Sequence, residues 1–285
     1  MINEYLEKLT REEERKGSNI LYVRSILKEY LQILVLEYIY TSYKHKTNLI
    51  FTGGTCLRHI YNIERLSEDL DFDFLREVDT QEMAENIKRW FESKMRYNDL
   101  NISIKQRGKQ ILLKFPCLKQ LNLASKSDSD FLYIKIDLEK VSGKSFNTEK
   151  TSKSVFGSNF VALHYDLPSL FTGKIVAILT RNLLKGKENR EMLKGRDFYD
   201  LLWYLKKGVV LNKELLEEKL GKKIDNQELK KILNEKVAMA TTKFKNDFKN
   251  DLLPFISNHR FLEDYLKNYQ NEFNRRYHEM IKDDI

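Results

Sequence analysis

The run Asp69-Leu70-Asp71-Phe72-Asp73-Phe74 constrains the fold more than any other stretch of the chain. Acid and apolar residues alternate strictly, and a period of two belongs to a β-strand, whose successive side chains point to opposite faces. One face then carries three carboxylates and the other Leu70, Phe72 and Phe74. Such a strand needs one buried side and one open side, so the chain has to build a sheet resting on a core. Asp69 and Asp71 point the same way with Cβ atoms about 6–7 Å apart. That spacing suits a hard divalent cation such as Mg²⁺, which takes oxygen ligands and keeps positions open for phosphate and water. Two such ions can activate a hydroxyl and stabilise a leaving pyrophosphate. The same alternation also describes a solvent-facing edge strand, in which three adjacent carboxylates repel one another.

Gly53-Gly54-Thr55 is separated from Asp69 by 13 residues and opens a short helix expected over Thr55 to Asn62. A glycine turn leading into a helix offers backbone N–H groups, and here a hydroxyl, to triphosphate oxygens. A third carboxylate candidate is Asp137. The period-two pattern from Phe131 puts Tyr133, Lys135, Asp137 and Glu139 on one face, with Leu132, Ile134, Ile136 and Leu138 toward the core. If this strand neighbours the first, Asp137 completes an acidic trio. An ordinary polar sheet face fits the spacing equally well.

The remaining periodicity indicates an α+β chain of 285 residues, with a small mixed β-sheet core and helices, followed by a helical C-terminal half. Residues 1–46 read as N-terminal helices packing on the core, 47–167 as the α/β core, and 168–285 as a helical C-terminal domain. Gly17-Ser18-Asn19 separates two N-terminal helices, the second capped by Ser18 or Asn19 and running from Ile20 to about Tyr43. A helix is expected from Thr80 to Met95. Strands are expected near 49–51, 100–106, 110–115, 131–138 and 159–163. Val141 to Ser158, rich in Ser, Lys, Thr, Asn and Gly, reads as an exposed loop. Further helices are expected over Ser169–Leu184, Asp197–Lys206, Lys213–Leu220, Asn226–Phe248 and Phe261–Met280.

Fifty Lys and Arg against 42 Asp and Glu leave a net charge of +8, which permits a nucleic-acid or nucleotide partner. Between Lys174 and Arg196 seven residues are basic and two, Glu188 and Glu191, are acidic. Lys174 and Arg181 lie seven apart and share a helix face. Arg181 or Arg196 suits oriented phosphate contact better than a lysine, because the guanidinium is a rigid fork. The alternative is a solvated basic face. Asp197 and Asp200 fall in the first turn of the next helix, where they either cap it or pair with a basic side chain. The two cysteines, Cys56 and Cys117, form no CxxC pair, and the five histidines include no HExxH, so a zinc cluster is not indicated. No stretch reaches the ~20 apolar residues of a membrane span. The polar N-terminus is not a signal peptide, so a cytoplasmic chain without a membrane partner is expected.

Phe51-Thr-Gly-Gly-Thr-Cys-Leu-Arg-His-Ile-Tyr61 followed by Arg65-Leu-Ser-Glu-Asp-Leu-Asp-Phe72 resembles the first signature of the nucleotidyltransferase toxins of the AbiEii/AbiGii type. Lys174 with Arg181, then Arg196-Asp197-Phe-Tyr-Asp200-Leu201, resembles a second, and the likeness spans about residues 45–206. The resemblance implies a DNA polymerase β-like nucleotidyltransferase core and Mg²⁺-dependent transfer of a nucleoside monophosphate from a nucleoside triphosphate. Two ions are expected, with Mn²⁺ an alternative. It also implies a toxin with a cognate antitoxin protein, a role in abortive infection and antiviral defence, and tRNA 3′ ends as acceptor.

Carried onto this chain, Gly53, Gly54, Thr55 and Ser67 lie at the triphosphate turn. Asp69 and Asp71 become the metal pair, with Asp137 the third catalytic acid and a third metal ligand, on the ion that activates the attacking hydroxyl. Lys174, Arg181 and Arg196 hold phosphate, while Asp73, Asp197 and Asp200 stand behind them. Two departures accompany this. Thr55 replaces the serine of the wider superfamily, and the acids continue to Asp73, so Asp71 and Asp73 formally offer a second DxD. A protein or small-molecule nucleotidyltransferase, a non-catalytic RNA-binding module and a metal-dependent nuclease are the competing readings.

Overall fold

The computed structural model describes residues 2–181, 183–185 and 190–282. Two compact units emerge, one of Met1–Val141 with Thr148–His164, the other of Ser142–Asn147 with Tyr165–Ile285. The sheet and its covering helices make the first unit, and helices dominate the second, an α+β arrangement.

The sheet has seven strands: β1 Leu49–Thr52, β2 Leu70–Phe74, β3 Asn101–Lys105, β4 Gln110–Pro116, β5 Phe131–Lys140, β6 Thr148–Val155 and β7 Ser158–Tyr165. Their order is β3-β4-β5-β2-β1-β7-β6. The acid-bearing strand β2 is therefore interior, antiparallel to β1 and parallel to β5. Alternation explains its placement: Leu70 and Phe72 are buried while Asp71 and Asp73 are half-buried. In β5, Leu132, Ile134, Ile136 and Leu138 are buried between half-buried Tyr133, Lys135 and Asp137. Phe51 and Phe72 stack with centroids 5.2 Å apart under the β1–β2 pair.

Helices α1 (Ile2–Arg15), α2 (Ile20–Glu37), α3 (Gly53–His59) and α4 (Thr80–Ser93) cover this unit. Asn19 caps α2, its Oδ1 accepting from the Tyr22 N–H at 3.0 Å. Helix α2 is buried over most of its circumference and packs on β5, while α3 packs on β2 and α4 on β3 and β4.

The stretch expected as a loop over Val141 to Ser158 contains β6. That strand is almost wholly polar, Thr-Glu-Lys-Thr-Ser-Lys-Ser-Val, and sits at the sheet edge, where the charges of exposed Lys150 and half-buried Lys153 deter further pairing. Without an apolar side it carries no period-two signal. Its turn into β7 is Phe156-Gly157, both with positive φ (52° and 78°), the geometry of a two-residue hairpin turn.

In the second unit, α5 (Leu167–Thr180) is followed by the hairpin strands β8 (Leu183–Lys185) and β9 (Arg190–Met192). Then come α6 (Gly195–Lys206), α7 (Lys213–Leu220), α8 (Asn226–Thr241), α9 (Lys245–Leu252) and α10 (His259–Lys282). Two expectations change here. The helix expected to reach Leu184 ends at Thr180, because Arg181 turns extended (ψ 120°) and the hairpin begins. The helix expected over Asn226–Phe248 breaks after Thr241. Thr241 and Thr242 hydroxyls donate back to the Val237 and Ala238 carbonyls, and Thr242 leaves helical geometry. Gly195 lets α6 touch α9, since a Cβ there would stand 2.4 Å from the Phe248 carbonyl oxygen. Helix α6 packs on α5, α9 and α10. The segment 142–147 is tied to α7, where the Glu218 carboxylate accepts from the Lys144 and Ser145 N–H groups and the Ser145 hydroxyl.

Candidate active site

In the first unit, the parallel register of β2 and β5 sets Asp71 directly beside Asp137 and Asp73 beside Glu139. Register partners share a face, so the polar faces of both strands coincide. Asp69 precedes β2 by one residue. Gln110, the β4 partner of Asp137, donates from Nε2 to Asp137 Oδ1 at 2.7 Å and orients that carboxylate. Lys135 Nζ lies 3.3 Å from Asp69 Oδ1. Burial lifts the Asp69 carboxyl above its ordinary value, and the negative charges of Glu68 and Asp137 add to this against the opposing pull of Lys135.

The glycine turn meets the acids directly. Gly53 has φ +73°, a conformation that favours glycine, and a Cβ there would sit 2.0 Å from Asp71 Oδ2. A Cβ on Gly54 would sit 2.7 Å from the Arg65 guanidinium and 3.0 Å from Ser67 Oγ. Arg65 is fully buried and donates to the Leu66 carbonyl at 2.9 Å. Thr55 is also fully buried, and its hydroxyl donates to the Asp69 carbonyl oxygen. Thr55 thus braces the acid strand, and its side chain faces no opening. From the other side, Gln32 of α2 donates to the Ser67 and Glu68 carbonyls at 3.3 and 2.8 Å. The three residues before β2 are therefore held by Thr55 and by Gln32, and sequence spacing does not single out Gln32.

In the second unit, Lys174 of α5 reaches Asp197 at 2.8 Å and Asp200 at 2.9 Å, both on α6. Arg181 also pairs with Asp197. The open question over Asp197 and Asp200 is thus answered by pairing with basic side chains. Asp200 is fully buried and Asp197 nearly so. Burial would raise the Asp197 carboxyl, but Lys174 and Arg181 outweigh it and hold it at about 2. Arg181, whose side chain is 35% exposed, is the most accessible cation of this network. Arg196 stands apart, its backbone N–H and Nε on Asp251 at 2.9 and 3.3 Å and its guanidinium 4.4 Å over the Phe255 ring. Of the basic stretch 174–196, Lys187 and Glu188 lie outside the described residues.

Among the described residues no group of three or more His, Cys, Asp or Glu side chains forms a metal cage. The half-buried Asp69 carboxylate, near Asp137 and paired only with Lys135, supplies the hard oxygen donors that a cation takes, the remaining ligands coming from substrate and water. Lys135, Gln110 and Gln32 belong to the site's surroundings, although no motif announced them, whereas Arg65 opens the second stretch of the first signature. Only the alternation in β5 pointed to Lys135.

A family model described as nucleotidyl transferase AbiEii toxin, type IV toxin–antitoxin system, matches residues 37–271. Among solved structures, the nucleotidyltransferase toxin MenT4 of Mycobacterium tuberculosis H37Rv aligns with a TM-score of 0.54 at 10% identity, over 98% of this chain and 89% of that one. JHP933 of Helicobacter pylori aligns with a TM-score of 0.49 at 16% identity, over 90% of this chain and 92% of that one. At 10% identity the likeness to MenT4 speaks for the fold. A search of curated proteins finds no match.

Proposed function

The chain belongs to the AbiEii family of nucleotidyltransferase toxins of type IV toxin–antitoxin systems, and from that premise we propose that it moves a nucleoside monophosphate from a nucleoside triphosphate to the 3′ hydroxyl of tRNA. The observation that carries the reading is the register of Asp71 with Asp137, with Asp69 two residues upstream and Gly53 against the Asp71 carboxylate. The net charge of +8 supports a nucleic-acid acceptor over a protein one.

In this reading the acceptor oxygen attacks the α-phosphorus in line, the bond from that phosphorus to the bridging oxygen breaks, and pyrophosphate leaves. Asp137, oriented by Gln110, takes the proton of the acceptor hydroxyl. Asp69 and Asp71 would hold Mg²⁺, or Mn²⁺ in its place. Bound there, the ion supplies charge neutralisation and lowers the pKa of the acceptor hydroxyl. The Gly53–Gly54 turn lets the Asp71 carboxylate and the Ser67 hydroxyl come close to the backbone, and the N–H groups of that turn would meet the phosphate. The family resemblance gives Lys174 and Arg181 a phosphate-holding role, and in the second unit Lys174 pairs with Asp197 and Asp200 and Arg181 with Asp197. Arg196 is a structural clamp on Asp251. The family implies an antitoxin partner. Blocking tRNA 3′ ends would arrest translation, an effect suited to abortive infection.

The test is a transfer assay with total RNA, Mg²⁺ and each α-³²P-labelled nucleoside triphosphate, alongside Asp71→Ala. The expected result is label in tRNA-sized bands, reduced at least about 100-fold in the variant. Label in protein only, or shortened RNA that does not depend on nucleotide, would overturn the acceptor or the reaction.

A further inference from the structure

The register of β2 with β5 decides which charges face one another on the open side of the sheet. Asp71 stands beside Asp137 and Asp73 beside Glu139, so neighbouring rungs set acid against acid. One rung further back the pattern breaks. Lys135 falls opposite Asp69, and its Nζ lies 3.3 Å from Asp69 Oδ1. Glu68 has a cation of its own, Lys28 of α2 at 3.3 Å, so Lys135 is the basic side chain that β5 itself brings to Asp69. Carboxylates this close repel one another. Glu68 and Asp137 are near enough to act on both members of the Lys135–Asp69 pair, and the ammonium offsets part of their charge. Two properties make that ammonium replaceable. The Lys135 side chain is 37% exposed, whereas Lys174 in the second unit is 14% exposed and held between two buried acids. A lysine is also a point charge on a flexible stem, so its head can move out to water while the stem stays on the sheet. A divalent ion brings twice the charge to the same oxygens.

We propose that Lys135 and the divalent cation compete for the Asp69 carboxylate, so that this lysine sets the affinity of the acidic face for its ion. Lys135 is then a positioning residue: its ammonium holds the acids together against their own repulsion and withdraws as the ion arrives. The inference rests on the reading of Asp69 and Asp71 as the metal pair and adds to it the group that regulates how tightly the pair binds.

The test is binding of Mn²⁺ alone to the full chain, without nucleotide, followed by electron paramagnetic resonance. Lys135→Met keeps most of the stem and loses the charge, and is expected to bind Mn²⁺ about tenfold tighter than wild type. Lys135→Arg keeps the charge and should stay near wild type. Asp71→Ala should lose the binding. Melting supplies a second readout. In EDTA, Lys135→Met should melt below wild type, because the acids lose their counter-charge, and Mn²⁺ should raise its Tm by more than it raises that of wild type. A lysine that only holds the fold would lower Tm equally with and without Mn²⁺ and leave the affinity unchanged. Equal or weaker Mn²⁺ affinity in Lys135→Met, with binding still lost in Asp71→Ala, would overturn the competition and leave the metal pair standing. Mn²⁺ binding that survives Asp71→Ala, or that neither wild type nor Lys135→Met shows, would overturn the metal pair and the inference with it.

Discussion

Replacing Asp197 with Asn tests whether the buried network in the second unit is held by charge. The folded carboxyl lies at about 2, against 3.8 for an unperturbed group. Burial opposes this value, and Lys174 and Arg181 produce it. A depressed carboxyl contributes stability that is fully present above about pH 4 and lost as pH falls toward 2. At 1.36 kcal/mol per pKa unit, the contribution is about 2 kcal/mol. The measurement is urea unfolding between pH 7 and pH 2.5, extrapolated to water. Trp203 lies in α6 and Trp90 in α4, so Trp90→Phe leaves a reporter confined to the second unit. At pH 7 Asp197→Asn should lie below the parent by at least that contribution, and by up to about 5 kcal/mol, because Lys174 and Arg181 lose a partner in the interior. The gap should narrow by about 2 kcal/mol toward pH 2.5. A gap that stays constant across the range would refute the electrostatic account and leave packing as the role of Asp197.

Two further perturbations address the first unit. Gly53→Ala places a Cβ 2.0 Å from Asp71 Oδ2 and a non-glycine residue at φ +73°. It should cost about 1–3 kcal/mol in denaturant unfolding and reduce transfer as severely as Asp71→Ala, and wild-type transfer by this variant would remove Asp71 from the proposed chemistry. Asp69→Asn should abolish transfer while raising Tm at pH 7, because the fold disfavours the ionised form of this carboxyl. That gain should shrink on acidification, as the native group becomes neutral, and a fall in Tm at pH 7 would contradict it.

The acid strand was legible because its two faces differ so sharply in chemistry. Leu70 and Phe72 went to the core and Asp71 and Asp73 to the open face. Strand β5 was legible for the same reason. Strand β6 was not, since an edge strand with no apolar side leaves no periodic trace. The break after Thr241 lay in hydroxyl–carbonyl bonds that hydrophobic spacing does not record. In the site, the sequence marked the acids and the glycine turn but not what holds them. Gln110 meets Asp137 only across the β4–β5 register, and Gln32 reaches Ser67 and Glu68 from a helix 35 residues away.

Strand β2 owes its position to two neighbours made at very different times. Strand β1 precedes it in the chain, but β5, which brings Asp137 beside Asp71, follows 66 residues after Asp71. At about 5–20 residues per second, a ribosome needs roughly 3–13 s to extend the chain from one acid to the other. Until β5 has emerged and docked, β2 lacks its parallel partner and the proposed acids are not assembled. The paired faces of β2 and β5 are thus a late product of synthesis, absent while the first half of the chain is being made.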